Sequence, residues 1–266
     1  MEPLANIGVL AARAAGNYIM RNFDRVDALK IERKGKSDFV TQVDRGAEAE
    51  IVKIIRKHYP HHGILGEEGG ASGTDDEVRW IIDPLDGTTN FLHALPHFAV
   101  SIGVEVRGRL EHGVVYAPAT QDLYVASRGS GTTLNNKRVR VSKVKDLEDS
   151  LIGTGVPIRK PEMLDVYLPM MRRVAENTAG LRRAGAAALD LAYVASGRLD
   201  GFFEMNLKPW DIAAGIVLVQ EAGGVVNGLI AGNVLDHGHV LASNNKLIGP
   251  LTDLIGTFAP TPTSAT

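Results

Sequence analysis

Apolar and polar positions along the 266-residue chain change period several times, and each change marks an element. Leu4, Ile7, Ala11, Ala14 and Tyr18 recur on one helical face, which predicts an amphipathic helix over 3–23. KIERKGKSDF (30–39) is charged, carries a glycine and reads as a mobile loop. Thr41 stands as an N-cap, and Val43, Ala47, Ile51, Ile54 and His58 line one face of the helix beyond it. GILGEEGG (63–70) begins as a short strand and breaks at its glycines, and ASGTDDE (71–77) reads as a surface loop. WIID (80–83) is a strand. PHFAVSIGVEV (96–106), RLEHGVVYA (109–117) and DLYVAS (122–127) alternate or run apolar in β-forming residues. They read as antiparallel neighbours, with Gly108 and Pro118 near the turns.

The second half alternates more regularly. LIGTGVP (151–157) is a strand, 161–178 a helix, LRRAG (181–185) a strand and GAAALDLAYVASG (185–197) a buried helix closed by Gly197. DGFFEM (200–205) is a strand, and PWDIAAGIVLVQEAGG (209–224) is a helix with proline at its start and glycines at its end. HVLAS (239–243) is a strand, NNKLIGPLTDLIG (244–256) a last, proline-interrupted helix and APTPTSAT (259–266) a disordered tail. There is no internal repeat and no clear linker. The expectation is layered helices and sheets in a single domain over 1–258, built as two closely packed αβ lobes that divide near 145.

Composition narrows the classes of function. The chain is 44% hydrophobic and 23% charged, enough apolar material for a large core. A net charge of -2 gives no basic excess for nucleic acid or an acidic membrane surface. The absence of cysteine removes disulfides, thiolate metal sites and cysteine nucleophiles, and it suits a reducing, cytoplasmic compartment. No apolar run approaches the ~20 residues of a membrane span, and the N-terminus has no signal-type core.

The candidate chemistry lies in WIIDPLDGTTNF (80–91), where an apolar strand runs into two carboxylates split by a proline. Pro84 turns the chain and frees the Leu85 carbonyl, Asp86 opens a helical turn, and Gly87 leaves the backbone bare beside Thr88 and Thr89. Two carboxylates and a carbonyl suit a hard cation such as Mg²⁺. A helix N-terminus suits an anion. A lone D-P-x-D reads as a helix cap after a strand-ending aspartate. The cap explains Asp86 but leaves Asp83 without a partner. Glu67 and Glu68 in GEEGG, Asp211 at the start of an apolar helix, and Asp44 in Thr41-x-x-Asp44 each have a bland reading as well: an acidic turn, a helix cap and a capping box.

WIIDPLDGTTNF closely resembles the first signature of the inositol monophosphatase family, and WDIAAGIVLVQEAGG its second. GEE and DFVTQVD match upstream in order and spacing, so that the likeness runs from about residue 4 to 245 and is nearest the bacterial, SuhB-type branch. The resemblance implies an α/β (α+β) fold, the layered αβαβα sandwich of the inositol monophosphatase and fructose bisphosphatase type. It also implies a homodimer, two or three Mg²⁺ ions and sensitivity to lithium. By matching positions, Glu67, Asp83 and the Leu85 carbonyl would hold a first Mg²⁺. Asp83, Asp86 and Asp211 would hold a second, and Glu67 with waters a weaker third. Glu67 and Thr88 would orient a metal-activated water, with Asp44 holding the Thr88 hydroxyl. Asp86, Gly87, Thr88 and Asp211 would surround the phosphate. Glu204 and the backbone of Gly185, Ala186 and Ala187 would face the sugar-like part. The loop around Lys36 would be a flap over the metals. Animal members carry threonine where this chain has Ala186, so one side-chain contact to substrate would be lost.

The implied reaction is hydrolysis of myo-inositol 1-phosphate or a similar small polyol phosphate monoester. A nucleotide 3′-phosphatase, a fructose-1,6-bisphosphatase, and a non-catalytic role with RNA polymerase or transcription factors are the alternatives. His61, His62, His237 and His239 have no zinc-type spacing and read as loop residues. Arg182 and Arg183 could contact a phosphate, cross a dimer interface or form surface ion pairs, and Trp210 reads as packing that fixes Asp211.

Overall fold

In the computed structural model, which describes residues 2–23, 31–35 and 38–256, the two longest helices lie together over one sheet. α1 (Pro3–Phe23) forms where the 3.6-residue apolar period predicts it. The charged segment after it is not a loop: β1 (Ile31–Gly35) and β2 (Asp38–Thr41) form a two-stranded antiparallel ribbon. A main-chain ladder needs no apolar alternation, so nothing in the side-chain pattern announces it. Lys36 and the tail 259–266 lie outside the described residues. α2 (Gln42–His58) comes next, and with α1 it buries Ala11, Ile19, Ile51 and Ile55 against Trp80, Ile82, Val100 and Ile102 of the sheet.

That sheet has eight strands, in the order β10-β9-β8-β7-β6-β5-β3-β4. They are β3 (His62–Gly66), β4 (Gly70–Ser72), β5 (Asp75–Asp86), β6 (Ala99–Val106), β7 (Arg109–Ala117), β8 (Asp122–Ser127), β9 (Gly131–Leu134) and β10 (Lys137–Arg138). Only the β3–β5 pair is parallel. The expected loop over 71–77 is a correction: it supplies part of β4 and the start of β5. Nor does Pro84 end its strand. β5 continues to Asp86 through a bulge in which Pro84 and Leu85 face one residue of β6, because Asp83 pairs with Ser101 and Asp86 with Ala99. A bulge is where a strand can hold a proline and re-aim the residues beyond it. Helix α3 (Thr88–Leu92) therefore starts after Gly87, not at Asp86, and Gly87 turns the chain in the left-handed region at φ 92°.

The five-stranded sheet runs β12-β11-β13-β15-β14. Its strands are β11 (Leu151–Thr154), β12 (Gly180–Arg182), β13 (Gly201–Glu204), β14 (Gly224–Gly228) and β15 (Val240–Asn244), and β12, β11 and β13 are mutually parallel. α4 (Leu164–Asn177) precedes β12. α5 (Ala187–Ala195) precedes β13, and α6 (Pro209–Glu221) and the short α7 (Val234–His237) lie between β13 and β15. α8 (Ile248–Ile255) begins later than expected, with Pro250 in its first turn, where a missing N–H costs nothing. α5 and α6 form the central layer. Ala188, Leu191, Ala213 and Val217 pack between Ile81 and Val115 of the first sheet and Phe202 and Ala242 of the second. α4 and α8 cover the outer face, where Phe203, on the opposite side of β13 from Phe202, meets Tyr167, Met170 and Leu251. The result is the layered αβαβα sandwich. Among the described residues no helix is long and apolar enough to cross a membrane.

Candidate active site

Side-chain alternation in β5 decides where the first carboxylate goes. Trp80 and Ile82 face α1 and α2, and Ile81 faces the central helices. Asp83 shares the face of Ile81 and so meets α6. There it is 2% exposed, and its Oδ1 accepts the Leu85 N–H at 3.0 Å, bracing the bulge. Asp86 accepts the Ala188 N–H at 2.8 Å. The expected cap role is thus real, but the helix it caps is α5, 102 residues away in sequence. Asp211, in the first turn of α6, accepts the Lys208 N–H at 2.7 Å and makes a side-chain contact with Asp83. Ser101 of β6 donates to the Trp210 carbonyl at 3.1 Å and fastens the start of α6 to the first sheet.

Thr88 faces the same space. Its hydroxyl lies 3.0 Å from Asp44 Oδ1 and 3.1 Å from the Leu85 carbonyl. One proton cannot serve both acceptors, and the buried carboxylate is the stronger. Donation to Asp44 leaves the Leu85 carbonyl and the Thr88 lone pairs turned toward the pocket. Glu67 comes directly after β3 and lines the pocket with Asp83, Asp86 and Asp211. The pocket holds about 410 Å³, and Glu204, Gly185 and Ala187 also line it. Asn90 donates to the His97 and Ala184 carbonyls at 2.7 and 2.9 Å, joining the first signature to the segment between β12 and α5. Ala186, expected beside the substrate, is only 1% exposed and does not line the pocket.

Two further acids go beyond the sequence expectations. Glu48, one helical turn beyond Asp44, accepts the Glu68 and Gly69 N–H groups at 3.0 and 2.7 Å and so grips the turn that carries Glu67. Its i, i+4 relation to Asp44 is the available signal. Asp190 on α5 is buried, and neither carboxylate oxygen has a hydrogen-bond partner among the described residues. A mid-helix acid in an otherwise apolar run is its only mark. The histidines are more structured than loop residues: Trp80 donates to His62 Nδ1 at 3.1 Å, and His62 stacks on Tyr59.

The electrostatics fit a cation. Burial, then repulsion from Glu67, Asp86 and Asp211, pushes Asp83 well above the usual carboxylate range. Burial and Asp211 do the same to Asp86. Burial raises Asp211 to about 6, and burial with the charge of Asp211 raises Glu204 to about 8. Crowded acids of this kind are costly alone and favourable around a dication. No three imidazole or carboxylate side chains among the described residues close into a ready-made cage. The candidate ligands that line the pocket offer oxygen only, carboxylates with Leu85 and Thr88, and hard oxygen ligands suit Mg²⁺.

Comparison with known proteins agrees with this chemistry. The model of the inositol monophosphatase family matches residues 1–255. The Nus factor SuhB of Pseudomonas aeruginosa is 51% identical over 98% of both chains. The crystal structure of the extragenic suppressor protein suhB from Bartonella henselae superposes with a TM-score of 0.93, at 43% identity over 97% of this chain and 100% of that one. The inositol monophosphatase of Anabaena superposes at 0.86, with 37% identity over 97% and 96%. From the layered sandwich to the two acidic signatures, and over nearly its full length, the chain belongs to the inositol monophosphatase family of metal-dependent phosphatases.

Proposed function

We propose that the protein hydrolyses myo-inositol 1-phosphate, or a similar small polyol phosphate monoester, in a Mg²⁺-dependent reaction. The observation that carries the reading is the convergence of Glu67, Asp83, Asp86 and Asp211 on one pocket beside the Thr88–Asp44 pair. In this reading Glu67, Asp83 and the Leu85 carbonyl would hold one ion. Asp83, Asp86 and Asp211 would hold a second, and Glu67 with water a weaker third. Mg²⁺, when bound, would supply a water of lowered pKa and positive charge for the phosphoryl and leaving oxygens. Asp44 takes the only Thr88 proton, so Thr88 accepts from the attacking water and aims it at phosphorus. Glu67 is the second group that orients this water. The P–O ester bond breaks as the new P–O bond forms, the water's proton passes to solvent, and the departing alkoxide takes a proton from solvent to give the polyol. Gly185, Ala187 and Glu204 face the hydroxyls of the polyol. A homodimer, lithium sensitivity and a cytoplasmic location belong to the same reading.

Phosphate release across a Mg²⁺ titration tests it, with myo-inositol 1-phosphate, adenosine 3′,5′-bisphosphate and fructose 1,6-bisphosphate in parallel. Mg²⁺-dependent turnover of the inositol ester supports the assignment. Silence on all three esters, from folded protein that binds Mg²⁺, overturns it. A second reading, a non-catalytic role in a transcription complex, is favoured by the name Nus factor carried by the relative at 51% identity. Capture of RNA polymerase that survives Asp83→Asn supports this role. No capture by either protein refutes it.

A further inference from the structure

Asp190 is a buried acid that the proposed reaction does not use. It stands in the first turn of α5, 1% exposed, among Ala187, Ala188, Leu189 and Leu191, and neither of its oxygens has a hydrogen-bond partner among the described residues. An apolar residue would suit that stretch better, because a buried carboxyl without a hydrogen bond costs free energy and gives the fold nothing in return. Burial, then the charges of Glu204 and Asp86, raise it well above the usual carboxylate range. The side chain therefore keeps its proton and has an O–H to give.

The surroundings narrow where that proton can go. Asp86 already accepts the Ala188 N–H at 2.8 Å and lines the pocket beside Asp83 and Asp211. Glu204 remains. It follows Phe202 by two residues on β13 and so shares its face, the one turned to α5. The neighbouring strand is bare at this level. Gly153 and Gly155 are also two residues apart on one face. A Cβ on Gly153 would come 3.7 Å from the Asp190 Cβ, and one on Gly155 would collide with the Glu204 carboxylate. The two glycines thus leave a common floor for both acids. Thr154, between them, turns the other way, with its hydroxyl 2.6 Å from that of Tyr167. Arg183 acts on both acids, easing each against its burial, so one cation faces the pair.

We infer that Asp190 is a positioning residue: from behind the pocket it hydrogen-bonds the Glu204 carboxyl, directly or through one water, and so fixes the acceptor that the hydroxyls of the substrate meet. The inference rests on the phosphatase reading above, in which Glu204 faces the polyol. Asp190 does not itself line the pocket, and in this reading it touches neither phosphate nor metal. Two buried acids this close share a proton more readily than they ionise together. Donation from Asp190 keeps Glu204 the acceptor and holds its carboxylate in one orientation, by a bond of the strong, charge-assisted class.

The test compares myo-inositol 1-phosphate with p-nitrophenyl phosphate, whose skeleton has no hydroxyl, at saturating Mg²⁺. Asp190→Leu keeps the shape and removes the donor. It should raise KM for the inositol ester about tenfold, with kcat within about twofold, and move KM for p-nitrophenyl phosphate much less. Asp190→Asn offers an N–H in place of the O–H and should recover most of the loss. In a Glu204→Ala background Asp190→Leu should add nothing, because the group it positions is gone. KM values that stay unchanged or change alike for both esters overturn the inference and leave the phosphatase reading standing. So does an Asn variant as impaired as the Leu variant, or an effect that adds to that of Glu204→Ala. No Mg²⁺-dependent turnover of the inositol ester overturns the phosphatase reading, and the inference with it. Should Asp190→Leu fail to fold, infrared spectra of the Mg²⁺-loaded wild type and Asp190→Asn decide. Their difference should contain the C=O band of a protonated carboxyl group, and its absence overturns the inference.

Discussion

At the scale of single residues, several acids do two things at once. Asp86 caps α5 and faces the pocket, Asp211 accepts from its own helix start and faces the pocket, and Asp83 braces a bulge while meeting Asp211. The bland and the chemical readings of these residues are not exclusive. Asp83→Asn and Asp211→Asn should each lower kcat by at least about a hundredfold at saturating Mg²⁺. The same substitutions remove a repelling charge from a buried cluster, so thermal unfolding in EDTA should move upward or stay level. A wild-type rate in either variant contradicts the assignment of these carboxylates to metal. Glu48 touches neither water nor phosphate in this reading, and it positions Glu67 through the Glu68 and Gly69 N–H groups. Glu48→Gln keeps the shape and weakens charge-assisted bonds, each worth roughly 1.5–3 kcal/mol. The expectation is a fall in kcat of about tenfold with KM nearly unchanged. A fall confined to stability would reduce Glu48 to a scaffold role.

Elements explain what the sequence could and could not announce. Trp80 to Asp83 is legible because a strand buried on both faces reads as an unbroken apolar run, and α5 and α6 are legible from their apolar runs bounded by proline and glycine. The β1–β2 ribbon, β4 and the early part of β5 are not, because their residues are charged or exposed and their order comes from main-chain pairing. In the sequence Pro84 reads as a stop because proline removes a ladder donor. Only the partner strand reveals that pairing resumes at Asp86. Glu48 is harder to read for a different reason: its partners are backbone N–H groups, so only its i, i+4 spacing from Asp44 marks it. Helix α6 depends on bare backbone in the sheet beneath it. A Cβ on Gly113 would strike the Ala214 carbonyl, and one on Gly103 would come within 2.7 Å of the Ala213 side chain. Gly113→Ala should therefore destabilise by about 1–3 kcal/mol. It should also weaken the apparent Mg²⁺ affinity, because lifting α6 moves Asp211. Denaturant unfolding and a Mg²⁺ titration measured on the same sample check both effects.

For the whole molecule, the raised carboxyl groups set how stability varies with pH. Asp211 moves from 3.8 to about 6 and Glu204 from 4.5 to about 8 on folding without a cation. The folded chain then holds more protons than the unfolded one between about pH 4 and 8. Its stability is greatest below the unfolded values and falls as pH rises through that window. In EDTA the unfolding temperature should decline steadily from pH 5 to 8. With Mg²⁺ present the decline should flatten, because the ion replaces the protons. A flat profile in EDTA would mean that the acids are already compensated within the chain.

The acidic set is also divided along the chain. Glu67, Asp83, Asp86 and Thr88 precede the last strand of the first sheet, whereas Glu204 ends the third of the second sheet's five strands and Asp211 comes after it. During synthesis the early acids leave the ribosome more than a hundred residues before Asp211 does. A nascent chain of 200 residues holds Glu67, Asp83, Asp86 and Thr88 but neither Glu204 nor Asp211, so capture of the ion is an event of the finished polypeptide. Prematurely terminated products should be separable from complete ones by their failure to gain heat resistance from Mg²⁺.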